Sequence, residues 1–194
     1  RCGIATFTRD LLTAVADHLP RADCVAVAMN DGGGPYAYPP AVRFECDDAD
    51  PDAFRRAADF LNFANVDVVS LQHEYGIFGG TAGSHVLELL RNLRAPIHTT
   101  LHTVLARPSR EQRGVMQDII QLSSRLAVMT DRGRGLLRDV YGVADERVDV
   151  IPHGIPDVAF ADPNAHKNRF GLDGDHVLLT FGLLSPSKGI EQVI

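Results

Sequence analysis

Three histidines of this chain each stand just past an apolar, β-rich segment, where a strand would end. They are His73, His102 and His153. An imidazole donates, accepts or carries a proton close to neutral pH, so such a residue can serve binding or proton transfer. A single histidine of this kind more often bonds a neighbouring carbonyl, but three at equivalent positions favour the wall of a ligand cleft. A zinc site is an alternative, although no HxH or HxxxH pair supplies local ligand spacing.

Two glycine turns have the pattern of a phosphate site. Gly182 follows the apolar run 177–181 and leads to Lys188, which stands in the first turn of a helical pattern. A lysine there opposes the helix dipole and is unfavourable unless an anion is bound, and the free N–H groups of a helix start also bind phosphate. Gly3 stands in the same way before the first helical pattern. The alternatives are a solvated surface lysine and an ordinary turn.

The periodicity of the sequence predicts a scaffold that would gather these residues. Helices are predicted over residues 5–19, 51–63, 81–93, 108–124 and 131–141. Strands are predicted over residues 24–29, 42–45, 66–72, 96–101, 125–129, 148–151 and 177–181. Near-continuous apolar strands that alternate with helices indicate a Rossmann-like, doubly wound parallel sheet in the α/β class. Ligands of such folds bind beyond the carboxyl ends of the strands, where the three histidines fall.

Composition restricts the class of protein. Apolar residues make up 45% and charged residues 23% of the 194 residues, which is typical of a soluble globular chain. The net charge of −6 argues against a nucleic-acid footprint, so small molecules are the expected partners. Three cysteines without a CxxC pair indicate reduced thiols in the cytoplasm. No apolar run is long enough for a membrane span. Because the first residue is Arg1 rather than Met, we expect that a preceding segment is missing, and a signal peptide lost with it is an alternative.

A basic grouping adds one further candidate surface. It consists of Arg107, Arg110 and Arg113, with Arg91 and Arg94 near them. Such a grouping suits an anionic acceptor or peripheral contact with a membrane surface. The alternative is a solvated helix face.

Five motifs, taken in order along the chain, resemble one known family. They are RCGIATFT at 1–8, LQHEYG at 71–76, TTLHT at 99–103, VIPHGI at 150–155 and FGLLSPSKG at 181–189. Each motif alone has little specificity, but the series resembles the family 4 retaining glycosyltransferases of GT-B fold. The resemblance covers essentially the whole chain.

This resemblance implies two Rossmann-like domains that face each other across a cleft, with the acceptor mainly on the first and the nucleotide sugar on the second. Residues 1–156 would form the acceptor-side domain without its first strand, and the aperiodic stretch 157–174 would be a linker. Residues 175–194 would begin the nucleotide-sugar domain, whose ExxxxxxxE element would lie past the last residue. We therefore expect the 194 residues alone to be inactive.

The resemblance also implies roles for single residues. His102 matches the strand-end histidine beside the transferred sugar, and Gly3 matches the glycine loop that approaches the donor phosphates. Lys188 matches the basic residue on the leaving diphosphate, next to the turn at Gly182. The family commonly has arginine where this chain has Leu183. No metal ion or other cofactor is implied, since the nucleotide-diphosphate sugar is itself a substrate.

Acceptor contacts are expected from the loop that begins His73-Glu74-Tyr75. The acceptor would be a carbohydrate or a lipid-linked molecule. Retention in this family is thought to proceed on one face of the sugar, where the leaving phosphate helps to deprotonate the acceptor, so no protein nucleophile is needed. One alternative is a nucleotide-sugar 2-epimerase-like enzyme of GT-B fold. The other is a flavodoxin-like ligand-binding domain without catalysis.

Overall fold

The computed structural model describes residues 3–34, 36–155, 157–179 and 190. The chain divides into two compact units, Arg1–His153 and Gly154–Ile194. The first unit holds every described strand and all but one of the described α-helices. The second contains the short helix α6, Pro163–Lys167, followed by a 3₁₀ turn at Asn168–Phe170.

All described strand pairs of the first unit are parallel. The strands are β1 Ala26–Asn30, β2 Val42–Asp47, β3 Val69–His73, β4 Ile97–Leu101, β5 Arg125–Val128 and β6 Val148–Val150. β1 pairs with β2 in a two-stranded sheet, and the other strands form a four-stranded sheet in the order β3-β4-β5-β6. Helices separate most consecutive strands, so the α/β class with parallel sheets is confirmed.

The described part of the first unit has five α-helices, and three of them begin at a residue whose side chain caps the helix. The five helices are α1 Gly3–His18, α2 Pro51–Phe63, α3 Val86–Asn92, α4 Arg110–Leu122 and α5 Asp131–Tyr141. The three capped helices are α2, α4 and α5. Before α2, the side chain of Asp50 accepts from the N–H of Asp52. Before α5, Thr130 accepts from the N–H of Gly133, and Gly142 ends the helix with φ 70°. These caps satisfy backbone groups that a helix end leaves unpaired, which fixes both boundaries.

Helix α4 contributes to both hydrophobic clusters of the first unit. Val115 and Ile119 join the cluster around α2, α3 and β3, whereas Met116 and Ile120 join the cluster around β5 and α5. Because neighbours along a helix differ in direction by about 100°, the two pairs face different sides of α4. This one helix therefore packs into both hydrophobic clusters and connects them.

The helix predicted over 81–93 is wrong in its first half. Residues Thr81–Gly83 form a 3₁₀ turn, and α3 begins only at Val86. The reason is backbone conformation, since Ala82 has φ 56° and Gly83 has φ 77°. A right-handed helix needs negative φ at every position, so these residues interrupt it.

The strand predicted over 177–181 is also wrong where it can be compared. Residues 177–179 carry no strand assignment, and residues 180 and 181 lie outside the described part of the chain. None of the described strands pairs with this segment, and an extended segment without a ladder partner is not stable as a strand. Gly182, Leu183 and Lys188 likewise lie outside the described residues.

Candidate functional site

The carboxyl edge of the four-stranded sheet brings the three histidines into one neighbourhood. His73 is the last residue of β3, and its carbonyl accepts the backbone N–H of His102 at 3.1 Å. His153 follows the end of β6. The ring of Phe7 contacts two of the three imidazoles edge-on, with centroids 4.8 Å from His102 and 5.3 Å from His153. The strand-end spacing thus located one edge of the fold, as we expected from a parallel sheet.

Phe7 is a site residue that sequence reasoning missed. In the sequence, Phe7 is one apolar residue of the helix predicted over 5–19, and its spacing there is ordinary. The structure shows instead that its ring stands at 89° to His102 and at 77° to His153. Edge-to-face ring pairs of this kind are favourable by about 0.5–1.5 kcal/mol. Phe7 therefore restricts two imidazoles at once, and no spacing rule identifies it.

His102 is held through one ring nitrogen. Its Nε2 lies 3.0 Å from Oε1 of Gln72, and Nε2 of Gln72 donates to Oγ of Ser70 at 3.0 Å. Burial lowers the pKa of His102, Glu74 opposes that change, and the nearby His153 adds to it. The net direction is downward, so the ring is neutral near pH 7. A neutral imidazole offers one donor and one acceptor nitrogen.

Glu74 presents a fixed carboxylate next to this imidazole. One oxygen accepts the backbone N–H of Tyr75 at 2.9 Å, and the other accepts the hydroxyl of Thr103 at 2.5 Å. Glu74 follows β3 and Thr103 follows β4, so the hydrogen bond joins two loops of the carboxyl edge. A carboxylate that is oriented in this way can still accept hydrogen bonds from ligand hydroxyls.

His73 lies beneath this surface. Its side chain is fully buried, edge-on to Tyr75 at 5.0 Å and stacked on Phe78 at 6.0 Å between ring centroids. Among the described residues, neither ring nitrogen has a hydrogen-bond partner. Burial, helped by the nearby His102, lowers the pKa of His73 to about 4. The ring is thus neutral and packed like a core residue.

Tyr75 extends the buried layer. Its hydroxyl is buried, and burial raises the pKa of Tyr75. Tyr75 and Tyr141 also pack against the cluster of β5 and α5. Among the described residues neither hydroxyl has a hydrogen-bond partner, so the two rings act by packing beneath the loop after β3.

The five arginines of the basic grouping differ in their contacts. Arg91 pairs with Asp118 at 2.6 Å, and Arg113 donates to the carbonyl of Val140 at 2.7 Å. Arg94 borders a shallow depression with Asp59, Asn62, Phe63 and Asn65. Arg107 and Arg110 are exposed. The five arginines therefore do not share one role.

The described residues include only part of the predicted phosphate site, and they also allow a test for a metal site. Gly3 is the exposed first residue of α1, and a Cβ added there would meet no atom within 4 Å. In the described ranges, no three His, Cys, Asp or Glu side chains are grouped to hold a metal ion. The roles of Gly3, Gly182 and Lys188 at a diphosphate stay predictions.

Comparison with known proteins shows which family this chain is similar to. Residues 3–158 match the model described as Glycosyltransferase Family 4. The chain belongs to glycosyltransferase family 4. The family resemblance is thereby confirmed, and the matched residues include all three histidines, Phe7 and Glu74. The motif at 181–189 lies outside the matched range.

One curated relative of this family 4 chain is the D-inositol 3-phosphate glycosyltransferase of Frankia alni (strain DSM 45986 / CECT 9034 / ACN14a). The two are 40% identical over 81 residues, which are 40% of this chain and 20% of the relative. The match thus spans about a fifth of the length of that protein. In the part of the chain that the structure describes, no helix is long and apolar enough to cross a membrane.

Proposed function

We propose that this chain is the acceptor-side domain of a retaining glycosyltransferase, which transfers a sugar from a nucleoside-diphosphate sugar to a hydroxyl acceptor. Family membership supports glycosyl transfer, and one structural observation supports the proposed location of the site. A neutral imidazole, His102, stands beside a fixed carboxylate, Glu74, at the carboxyl edge of a parallel sheet. This pair can accept hydrogen bonds from hydroxyls, and polyhydroxylated substrates supply many.

The proposed transfer needs groups that bind the acceptor and groups that bind the donor diphosphate. The bond from the anomeric carbon to the diphosphate breaks, and a bond to the acceptor oxygen forms on the same face of the sugar. The acceptor proton passes to the leaving phosphate. Charge grows on the diphosphate during this step, so a fixed ammonium such as that of Lys188, with helix N–H groups, would stabilise the transition state more than the ground state. No metal ion is needed in this scheme.

On the acceptor side, Glu74 would bind hydroxyls directly, while His73 and Tyr75 would support it from below. The name of the Frankia alni relative makes a phosphorylated polyol the first acceptor to test. Carbohydrate and lipid-linked acceptors follow it. Free Cys24 and Cys46 support a reducing, cytoplasmic location for the enzyme.

The test uses the protein expressed from its complete reading frame. UDP-, GDP- and ADP-sugars are each incubated with inositol phosphates, free sugars and lipid-linked acceptors, and nucleoside diphosphate and product are measured. Release that requires both donor and acceptor, with the anomeric configuration kept, supports the proposal. An isomerised donor without any acceptor would indicate the epimerase-like alternative. Binding of a nucleotide sugar with no turnover on any acceptor would indicate a non-catalytic domain.

His102→Ala is expected to lower kcat/KM for the donor by about tenfold, because one hydrogen bond between neutral groups is worth about 1.4 kcal/mol. Initial rates over a range of donor concentrations measure this change. The matched control is His18→Ala, which removes an exposed imidazole from the last turn of α1 and should leave the rate unchanged. Equal rates for the two variants would contradict a role of His102 at the sugar.

A further inference from the structure

Gln72 connects the interior of β3 to the imidazole of His102. It is only 7% exposed, although it is polar, and both ends of its amide group are used. Nε2 donates to Oγ of Ser70 at 3.0 Å, and Oε1 lies 3.0 Å from Nε2 of His102. This arrangement places the amide oxygen, and not the amide nitrogen, toward Nε2 of His102.

The backbone fixes His102 as firmly as the side chain does. Gln72 is opposite Thr100 and His73 is opposite Leu101 in the parallel register of β3 and β4. The N–H of His102 then bonds to the carbonyl of His73 at 3.1 Å, which continues the ladder one residue beyond β4. The imidazole is therefore tied to β3 by its own backbone and by Nε2, and Phe7 packs edge-on against it.

An amide oxygen can only accept a hydrogen bond, so the ring nitrogen that faces it must carry the proton. Neutral imidazole has a single N–H, and the other nitrogen is then a lone-pair acceptor. Among the described residues, no hydrogen bond uses Nδ1 of His102. We propose that Gln72 is a positioning residue that keeps His102 as the Nε2–H tautomer and so reserves Nδ1 for a substrate group that donates a hydrogen bond. This inference rests on the proposed function only in naming that group.

The tautomer of His102 predicts which donor sugars the site accepts. A sugar hydroxyl can donate to Nδ1, whereas a fluorine or a hydrogen in its place cannot. The site should therefore select donors that keep a hydroxyl at the position which meets His102. A site that hydrogen-bonds a substrate group rejects analogues that lack the group, because the polar atom of the site is then left unpaired.

The groups around His102 change its pKa in opposite directions. Burial and the nearby His153 disfavour the imidazolium of His102, while Glu74 favours it. Gln72 accepts a hydrogen bond without adding charge, so it orients the ring and leaves it neutral. Gln72→Glu would keep the shape and the acceptor but add a negative charge, which favours the protonated ring.

The decisive measurement is the protonation of His102 in the protein expressed from its complete reading frame and labelled with ¹⁵N at histidine. Long-range ¹H–¹⁵N spectra distinguish the two tautomers, and His102→Ala assigns the signals. We expect the Nε2–H form in the unmodified protein, a mixture in Gln72→Leu, and a titration midpoint raised by about one pH unit or more in Gln72→Glu. Gln121→Leu, an exposed change on α4, is the matched control and should leave the signals unchanged.

Kinetics give an independent readout. Gln72→Leu should reduce the preference for a hydroxyl-bearing donor over its deoxy or fluoro analogue by about tenfold, and Gln72→Glu should restore part of it above the new midpoint. An Nδ1–H tautomer in the unmodified protein, or unchanged His102 signals in Gln72→Leu, would overturn the inference. If no donor is turned over, the proposed function fails, but the spectra still decide the role of Gln72.

Discussion

Gly79→Ala is expected to destabilise the folded chain by about 3 kcal/mol or more. Gly79 has φ 62°, and a Cβ there would lie 1.8 Å from the backbone carbonyl oxygen of Asp48. That carbonyl cannot easily turn away, because it bonds to Nδ1 of His85 at 2.9 Å. The alanine would thus add backbone strain and force β2 away from the loop that follows β3. Urea unfolding monitored by circular dichroism measures the loss.

Gly76→Ala is the matched control in the same loop. No atom lies within 4 Å of an added Cβ, and Gly76 does not have positive φ. The free energy of unfolding of the Gly76→Ala variant should stay within about 0.5 kcal/mol of that of the unmodified chain. It can also rise slightly, since alanine restricts the unfolded state. If the two variants unfold at the same urea concentration, the close approach at Gly79 does not matter for stability.

The close approach also matters for the site, because the same loop begins with Glu74 and Tyr75. A Cβ on Gly83 would lie 2.8 Å from the carbonyl oxygen of Tyr75, so the far end of the loop returns to its start. Two glycines therefore set the path of the loop at both ends. The position of the Glu74 carboxylate is in this sense a product of backbone packing, not only of its bond to Thr103.

Local signals in the sequence were sufficient for several elements. The predicted bounds of α2 and α5 agree with the structure, because Asp50 with Pro51 marks a helix start and Gly142 marks a helix end. The parallel sheet followed from the alternation of strands and helices. Both predictions depend on residues that are close together in the sequence, so they need no knowledge of tertiary contacts.

Tertiary contacts explain what the sequence did not reveal. Apolar spacing could not distinguish a helix over 81–93 from a turn followed by α3, since the positive φ of Ala82 depends on how the loop packs. The strand-end rule located the histidines, yet it could not tell an open imidazole from the fully buried His73. The sequence predicted Gln72 only as the last residue of a strand, and its bond to His102 is a tertiary contact that spacing does not reveal.

His73 should make the stability of the chain depend on pH. Burial lowers the pKa of His73 to about 4 in the folded state, against the ordinary histidine value of 6.5. Between these values the unfolded chain binds more protons, so stability is complete above about pH 6.5 and falls as the pH drops toward 4. The shift corresponds to about 3 kcal/mol across that window. Urea unfolding at about pH 7 and about pH 4 measures the change.

His73→Leu isolates this contribution, because leucine has a similar volume and no proton to gain. At pH 7 the variant should be about as stable as the unmodified chain, since the ring nitrogens of His73 bond to none of the described residues. Toward pH 4 it should keep about 3 kcal/mol that the unmodified chain loses. His18→Leu, a change at an exposed helix end, should lose as much as the unmodified chain. Equal acid sensitivity of His73→Leu and the unmodified chain would mean that His73 finds a partner for its proton. The imidazole would then not be a neutral core residue, and a direct part of His73 in binding the acceptor would regain support.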